Sequence, residues 1–147
     1  MSEIEPLRVL NKLDLMTDYL ERLKRFESIT LEVFLGDRDV QLVVERLLQL
    51  IIQVAIDINR YLLKQLEIEQ PDSNFDLFIE VGKQGIITRE LAGMLAESGS
   101  FRNRLVHLYD EIDPARVHQA IQKALQNYPT YQRQITSYLD SLEADNG

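Results

Sequence analysis

The sequence predicts an all-α protein: an up-and-down bundle of about four to six helices, folded as one domain over residues 1–147. Three observations carry that reading. Apolar residues recur every three or four positions along almost the whole chain. Glycine and proline are sparse, at six and four residues, so few turns are available. No Asn-Gly pair joins two alternating apolar runs, so the hairpin signal of a β-protein is missing.

The first helix is expected to start near Glu5 or Pro6, since proline favours the first helical position. Leu7, Leu10, Leu13, Met16, Leu20, Leu23 and Phe26 make its apolar stripe, and charged residues cover the rest. Ser28 and Thr30 open a loop that runs to Gly36. Asp37 can cap the second helix, which continues to about Glu67. Leu47 to Ile58 is apolar nearly all round, as in a helix buried on most sides or partly covered by a second subunit. Its polar exceptions, Gln49, Gln53, Asp57 and Asn59, each need a partner or a cavity.

Residues 70–74 read as a loop, and Phe75 to about Val81 as a short helix stopped by Gly82 and Gly85. Thr88 can cap a helix that Ser98-Gly99-Ser100 interrupts, with a new stretch from Phe101 to about Ile112. Asp113-Pro114 reads as cap and first helical residue. Tyr128-Pro129 should break or kink that helix before a last one bearing Tyr131, Ile135, Tyr138 and Leu139. Residues 143–147 are expected to fray.

Composition narrows the function. With no cysteine, disulfides, thiolate metal sites and Cys nucleophiles are excluded, and a reducing cytoplasm is the natural location. Two histidines, His107 and His118, are too few for a multi-His cage, so no metal and no cofactor is expected. The chain starts with an acidic segment unlike a secretion signal, and no apolar run is long enough to span a membrane. Sixteen Lys and Arg against 24 Asp and Glu give a net charge of −8, which disfavours non-specific adhesion to polyphosphate or an anionic membrane. Any nucleic-acid site must therefore be a local basic cleft in a negative body.

The segment rich in chemistry is Phe101-Arg102-Asn103-Arg104-Leu105-Val106-His107-Leu108-Tyr109. Metal-free cleavage of RNA needs few groups, because the ribose 2′-OH is a built-in nucleophile beside the phosphate. A histidine can move the proton, and an arginine can hold the charge that develops on the phosphorus oxygens. Asn103 can orient the imidazole or the phosphate. Arg102 and His107 are five apart, so on one ideal helix they diverge by about 140°. Convergence requires a helix end, a distorted turn or a second copy across a two-fold axis. On spacing alone the segment reads first as solvated arginines, a hydrogen-bonded histidine and an amphipathic tyrosine.

Arg102-(four residues)-His107-Leu108-Tyr109 resembles the Arg-x4-His-x-Tyr motif of HepT-like proteins, the HEPN-superfamily toxins of MNT–HEPN toxin–antitoxin pairs. Asn103 fits the superfamily's preference for a polar residue after the arginine. Glu45-Arg46-Leu47-Leu48-Gln49 with Asp57-Ile58, and Gly85-Ile86-Ile87 with Glu90-Leu91-Ala92, fall in the family's order and spacing, so that the likeness covers roughly residues 37 to 125. The resemblance implies a homodimer with the two motifs in a shared cleft. It implies a metal-independent endoribonuclease acting on tRNA or mRNA, with Arg102 and His107 catalytic. It also implies an MNT-type nucleotidyltransferase partner that transfers AMP from ATP to Tyr109. The alternative is a non-catalytic helical subunit that binds substrate or scaffolds the nucleotidyltransferase.

Other residues weigh less. Asp57 and Arg104 are supporting candidates, Asp57 as a possible brace for Arg102 or Arg104. His118 reads as structural or surface, Tyr131 and Tyr138 as packing, and Glu111 and Asp113 as solvated. Gly82 to Gly85 lacks the Lys-Ser/Thr pair and preceding strand of a phosphate loop. Arg102 and Arg104 of two subunits, joined by Lys83 and Arg89, are expected to form the positive cleft.

Overall fold

A computed structural model describes the backbone of residues 3–146 and the side chains of residues 3–145 other than Tyr109. Among these it forms an up-and-down bundle of six α-helices and one 3-10 turn. The helices are α1 (Pro6–Lys24), α2 (Leu31–Leu35), α3 (Arg38–Gln65), α4 (Asn74–Lys83), α5 (Arg89–His107) and α6 (Pro114–Asn146), with the 3-10 turn at Tyr109–Glu111. The long α3 is the central helix and packs against each of the other five. None of these helices is long and apolar enough to cross a membrane.

Local side-chain caps set most helix starts. The Asp37 carboxylate accepts from the Val40 N–H at 3.1 Å, and the Thr88 hydroxyl accepts from the Leu91 N–H at 3.2 Å. Asp113 accepts from the Ala115 N–H at 3.0 Å, and Pro114 opens α6. Gly85 (φ 75°) closes α4 in the left-handed conformation that glycine adopts without a steric penalty.

Four expectations are corrected. The stretch from Ser28 to Gly36 is not all loop. Thr30 caps the one-turn helix α2, whose Phe34 is fully buried, and the Gln41 amide donates to the Phe34 and Leu35 carbonyls at 2.9 and 3.2 Å. The stripe of α1 begins out of register, with Leu7 69% exposed and Val9 buried instead, since the core face runs through Val9, Leu13, Met16, Leu20 and Leu23 at three- and four-residue steps. Ser98-Gly99-Ser100 does not interrupt α5. Gly99 is there because α4 comes so close that a Cβ would sit 2.7 Å from the Asn74 carbonyl carbon and oxygen. Pro129 lies inside one continuous α6. It removes one backbone N–H, yet the helix is held on both sides by Tyr128 and Tyr131 in the core, and the Thr130 hydroxyl donates to the Gln126 carbonyl at 3.3 Å.

Gln53, Asp57 and Asn59 of α3 find partners, although the Gln53 Oε1 and the Asn59 Nδ2 are buried with none among the described residues. Fully buried Asn59 accepts from the Tyr131 hydroxyl at 2.6 Å, and that hydroxyl also reaches the Ala55 carbonyl at 3.3 Å. Burial pushes the Tyr131 phenol well above its ordinary range, so it stays a neutral donor. The His118 ring bonds the Ile29 carbonyl at 2.7 Å and packs on Phe34, so it ties α6 to the end of α1's connection.

Candidate nuclease site at the end of α5

Helix α5 delivers the motif. Leu105 is buried and anchors the last turns, while Arg102 and Asn103 are half-buried and Arg104 and His107 face solvent. The helix ends at His107, five residues before the sequence expectation. Leu108 leaves helical geometry (φ −125°, ψ 38°), and its N–H closes the end on the Arg104 carbonyl at 3.0 Å. Because α5 is unbroken from Arg102 to His107, the two groups diverge by about 140° around its axis. The Tyr109 backbone starts the 3-10 turn, and its side chain lies outside the described residues.

Asn103 is held by a relay that sequence reasoning missed. Its side-chain oxygen accepts from the Asn74 amide at 3.1 Å, and the Asn74 oxygen accepts from the Arg60 guanidinium at 3.2 Å. Gln70 braces Arg60 by donating to its carbonyl at 3.0 Å. Arginine only donates, so Arg60 fixes the Asn74 amide orientation, and Asn74 in turn occupies the Asn103 oxygen. The NH2 of Asn103 is then the end left to donate to a substrate. Arg60, Asn74 and Asn103 lie far apart in sequence, and no local signal joins them. Arg102 adds a buried Nε with no hydrogen-bond partner.

Asp57 does not brace either motif arginine. It pairs with Lys12 at 3.6 Å and accepts from Gln53 at 2.8 Å, in a groove between α1 and α3 that Arg8, Arg60 and Lys64 also line. Lys83 and Arg89 do not join the motif. They line a shallow groove with Gln134 and Tyr138 at the start of α5, about 20 Å along the helix from Arg102. The basic residues beside the motif are instead Arg116 and Lys123 of α6. With Arg104 they line a cleft of about 380 Å³ between α5 and α6. Their i, i+7 spacing on one helical face was legible, but the partner face was not.

Residues 16–137 match the family model described as "Ribonuclease HepT-like". The chain is 51% identical, over 146 residues and 99% of both chains, to the tRNA nuclease HepT of Aphanizomenon flos-aquae. Two solved structures share its fold. One is a toxin–antitoxin solved with AMP-PNP, at TM-score 0.79 and 23% identity, covering 88% of this chain and 97% of that one. The other is the tri-AMPylated HEPN toxin of Shewanella oneidensis with its MNT antitoxin, at TM-score 0.78 and 24% identity, covering 88% and 96%.

Proposed function

This chain belongs to the ribonuclease HepT-like family of endoribonucleases, and from that premise we propose that it is a toxin that cuts tRNA in the cytoplasm and is silenced by AMP transfer to Tyr109. The observation that carries the reading is its full-length relation to a tRNA nuclease, with the Arg102–His107 motif at the exposed end of a helix.

The chemistry follows from the residue types. The ribose 2′-oxygen attacks the adjacent phosphorus, the bond from phosphorus to the 5′-oxygen breaks, and a 2′,3′-cyclic phosphate is left. His107 carries the proton transfer that the exchange of oxygens requires. Arg102 holds the non-bridging phosphate oxygens, where negative charge grows. The Asn103 NH2, aimed by Asn74 and Arg60, adds a neutral donor. None of these steps calls on a bound cofactor.

Arg102 and His107 of one protomer point apart, so each reaction centre joins the arginine of one protomer to the histidine of its partner across a two-fold axis.

Silencing is electrostatic and steric. The Tyr109 oxygen attacks the α-phosphorus of ATP on a nucleotidyltransferase partner, and pyrophosphate leaves. Each AMP adds a negative phosphodiester and an adenosine next to groups that must hold RNA phosphate. The tri-AMPylated state of the Shewanella toxin in its MNT complex supports this reading.

One experiment tests both halves. Purified chain should cleave tRNA in the presence of EDTA. After incubation with the nucleotidyltransferase partner and ATP it should lose cleavage and gain AMP-sized mass on Tyr109. The Tyr109→Phe variant should remain active and unmodified. Loss of cleavage in EDTA, or AMP on another residue, contradicts the corresponding half.

A further inference from the structure

We propose that the cleft between α5 and α6 is a nucleotide subsite, which binds the RNA residue flanking the scissile phosphate. It places that residue's phosphate on Arg104, Arg116 and Lys123, and its base on the apolar floor. The inference rests on the ribonuclease reading and specifies how the substrate is held.

The first argument is charge. The chain carries a net −8, yet this cleft gathers three cations against one carboxylate, Glu97. None of the three has an ion-pair or hydrogen-bond partner among the described side chains. In the α1–α3 groove, by contrast, Lys12 is paired with Asp57, Arg8 lies over the Tyr61 ring at 4.5 Å, and Arg60 is committed to Asn74. Uncommitted cations lose no existing contact when phosphate arrives.

The second argument is shape and lining. A volume of about 380 Å³ falls in the range of small-molecule sites. Half-buried Phe101, with Phe75 and Met94 at 41% and 47% exposure, offers the flat apolar surface on which unpaired bases stack. At the floor, Tyr128 is 1% exposed, and its hydroxyl has no well-formed hydrogen bond although Ser98 lies beside it. Burial raises the phenol far above its usual range, so it remains a donor in search of an acceptor. Glu97 can accept from a base amino group at the rim.

The third argument is continuity. Arg104 lines the cleft and stands three residues before His107 on the same face of α5, so a strand whose scissile phosphate reaches His107 passes into the cleft at the next nucleotide.

The test uses the full chain with Arg116→Gln and Lys123→Gln combined, both at exposed positions of α6. In a His107→Ala background, which prevents turnover, binding of a fluorescent single-stranded oligoribonucleotide of about eight nucleotides is read by anisotropy across a salt series. The double variant should bind roughly tenfold more weakly. Its plot of log affinity against log salt should be shallower by up to about 0.7, the share of one phosphate contact on a single strand. With His107 intact, KM for tRNA should rise while kcat at saturation stays close to that of the parent. Unchanged affinity and salt slope would overturn the inference while tRNA cleavage by the parent leaves the ribonuclease reading standing. A parent chain that binds RNA through these residues but never cleaves it would fail the ribonuclease reading alone. A shift from dimer to monomer on size exclusion would also overturn the inference, because the cleft would then be an interface between copies.

Discussion

Replacing His107 with alanine should lower the rate of tRNA cleavage by about 10²–10⁴-fold, the usual contribution of a positioned proton-transfer group. The fold should be untouched. His107 is exposed on the last turn of α5, where it makes no side-chain hydrogen bond among the described residues, and the helix end is closed by backbone contacts. Thermal unfolding should therefore match the parent, which separates lost chemistry from lost structure. Arg102→Ala should be comparably inactive, since an unreplaced cation at a developing charge costs about 10²-fold or more. A His107→Ala protein that cleaves at the parental rate would remove the imidazole from the mechanism.

The largest structural effect should come from Gly99→Val. A Cβ at this position would lie 2.7 Å from backbone atoms of Asn74 and 3.0 Å from the Phe75 nitrogen, where no flexible side chain can give way. Overpacking of this kind costs about 2–3 kcal/mol, or roughly 5–10 °C in Tm for a chain of this length. Gly93 on the same helix is the control. Nothing stands within 4 Å of a Cβ there, so Gly93→Ala should raise stability by up to about 1 kcal/mol. Gly99→Val should also damage activity more than its Tm suggests. Pushing α4 off α5 separates Asn74 from Asn103, whose 3.1 Å bond orients the motif amide. Equal melting temperatures for Gly99→Val and the parent would show that the two helices do not meet as described.

What could be read from the sequence is what local chemistry decides. Asp37, Thr88 and Asp113 cap helices where their short oxygen side chains stand, because a cap bonds an N–H only two or three residues ahead. The misread positions are those where distant contacts override local preference. Gly99 and Pro129 look like breakers. Packing against α4 keeps the first helical, and the buried Tyr128 and Tyr131 keep the second so. Thr30 reads as the opening of a loop, because Phe34, the side chain that makes a five-residue helix worth forming, finds its core only in the fold.

The site divides the same way. The motif and its order along the chain were legible, and so was the 140° divergence that one helix imposes. The Arg60–Asn74–Asn103 relay was not, since its bonds span 14 and 29 residues of sequence. Lys83 and Arg89 stand apart from Arg102 within the chain, because a helix of 19 residues separates the two ends of α5.

The proposed joining of one protomer's arginine to its partner's histidine has a direct test in the mixing of two dead proteins. Arg102→Ala and His107→Ala chains are unfolded together, refolded to exchange protomers, and assayed on tRNA. A mixed dimer keeps one centre with both groups intact, so random pairing should restore about one quarter of the parental activity. Activity no greater than that of either variant alone, with mixed dimers demonstrated by mass, would mean that both groups act from a single chain.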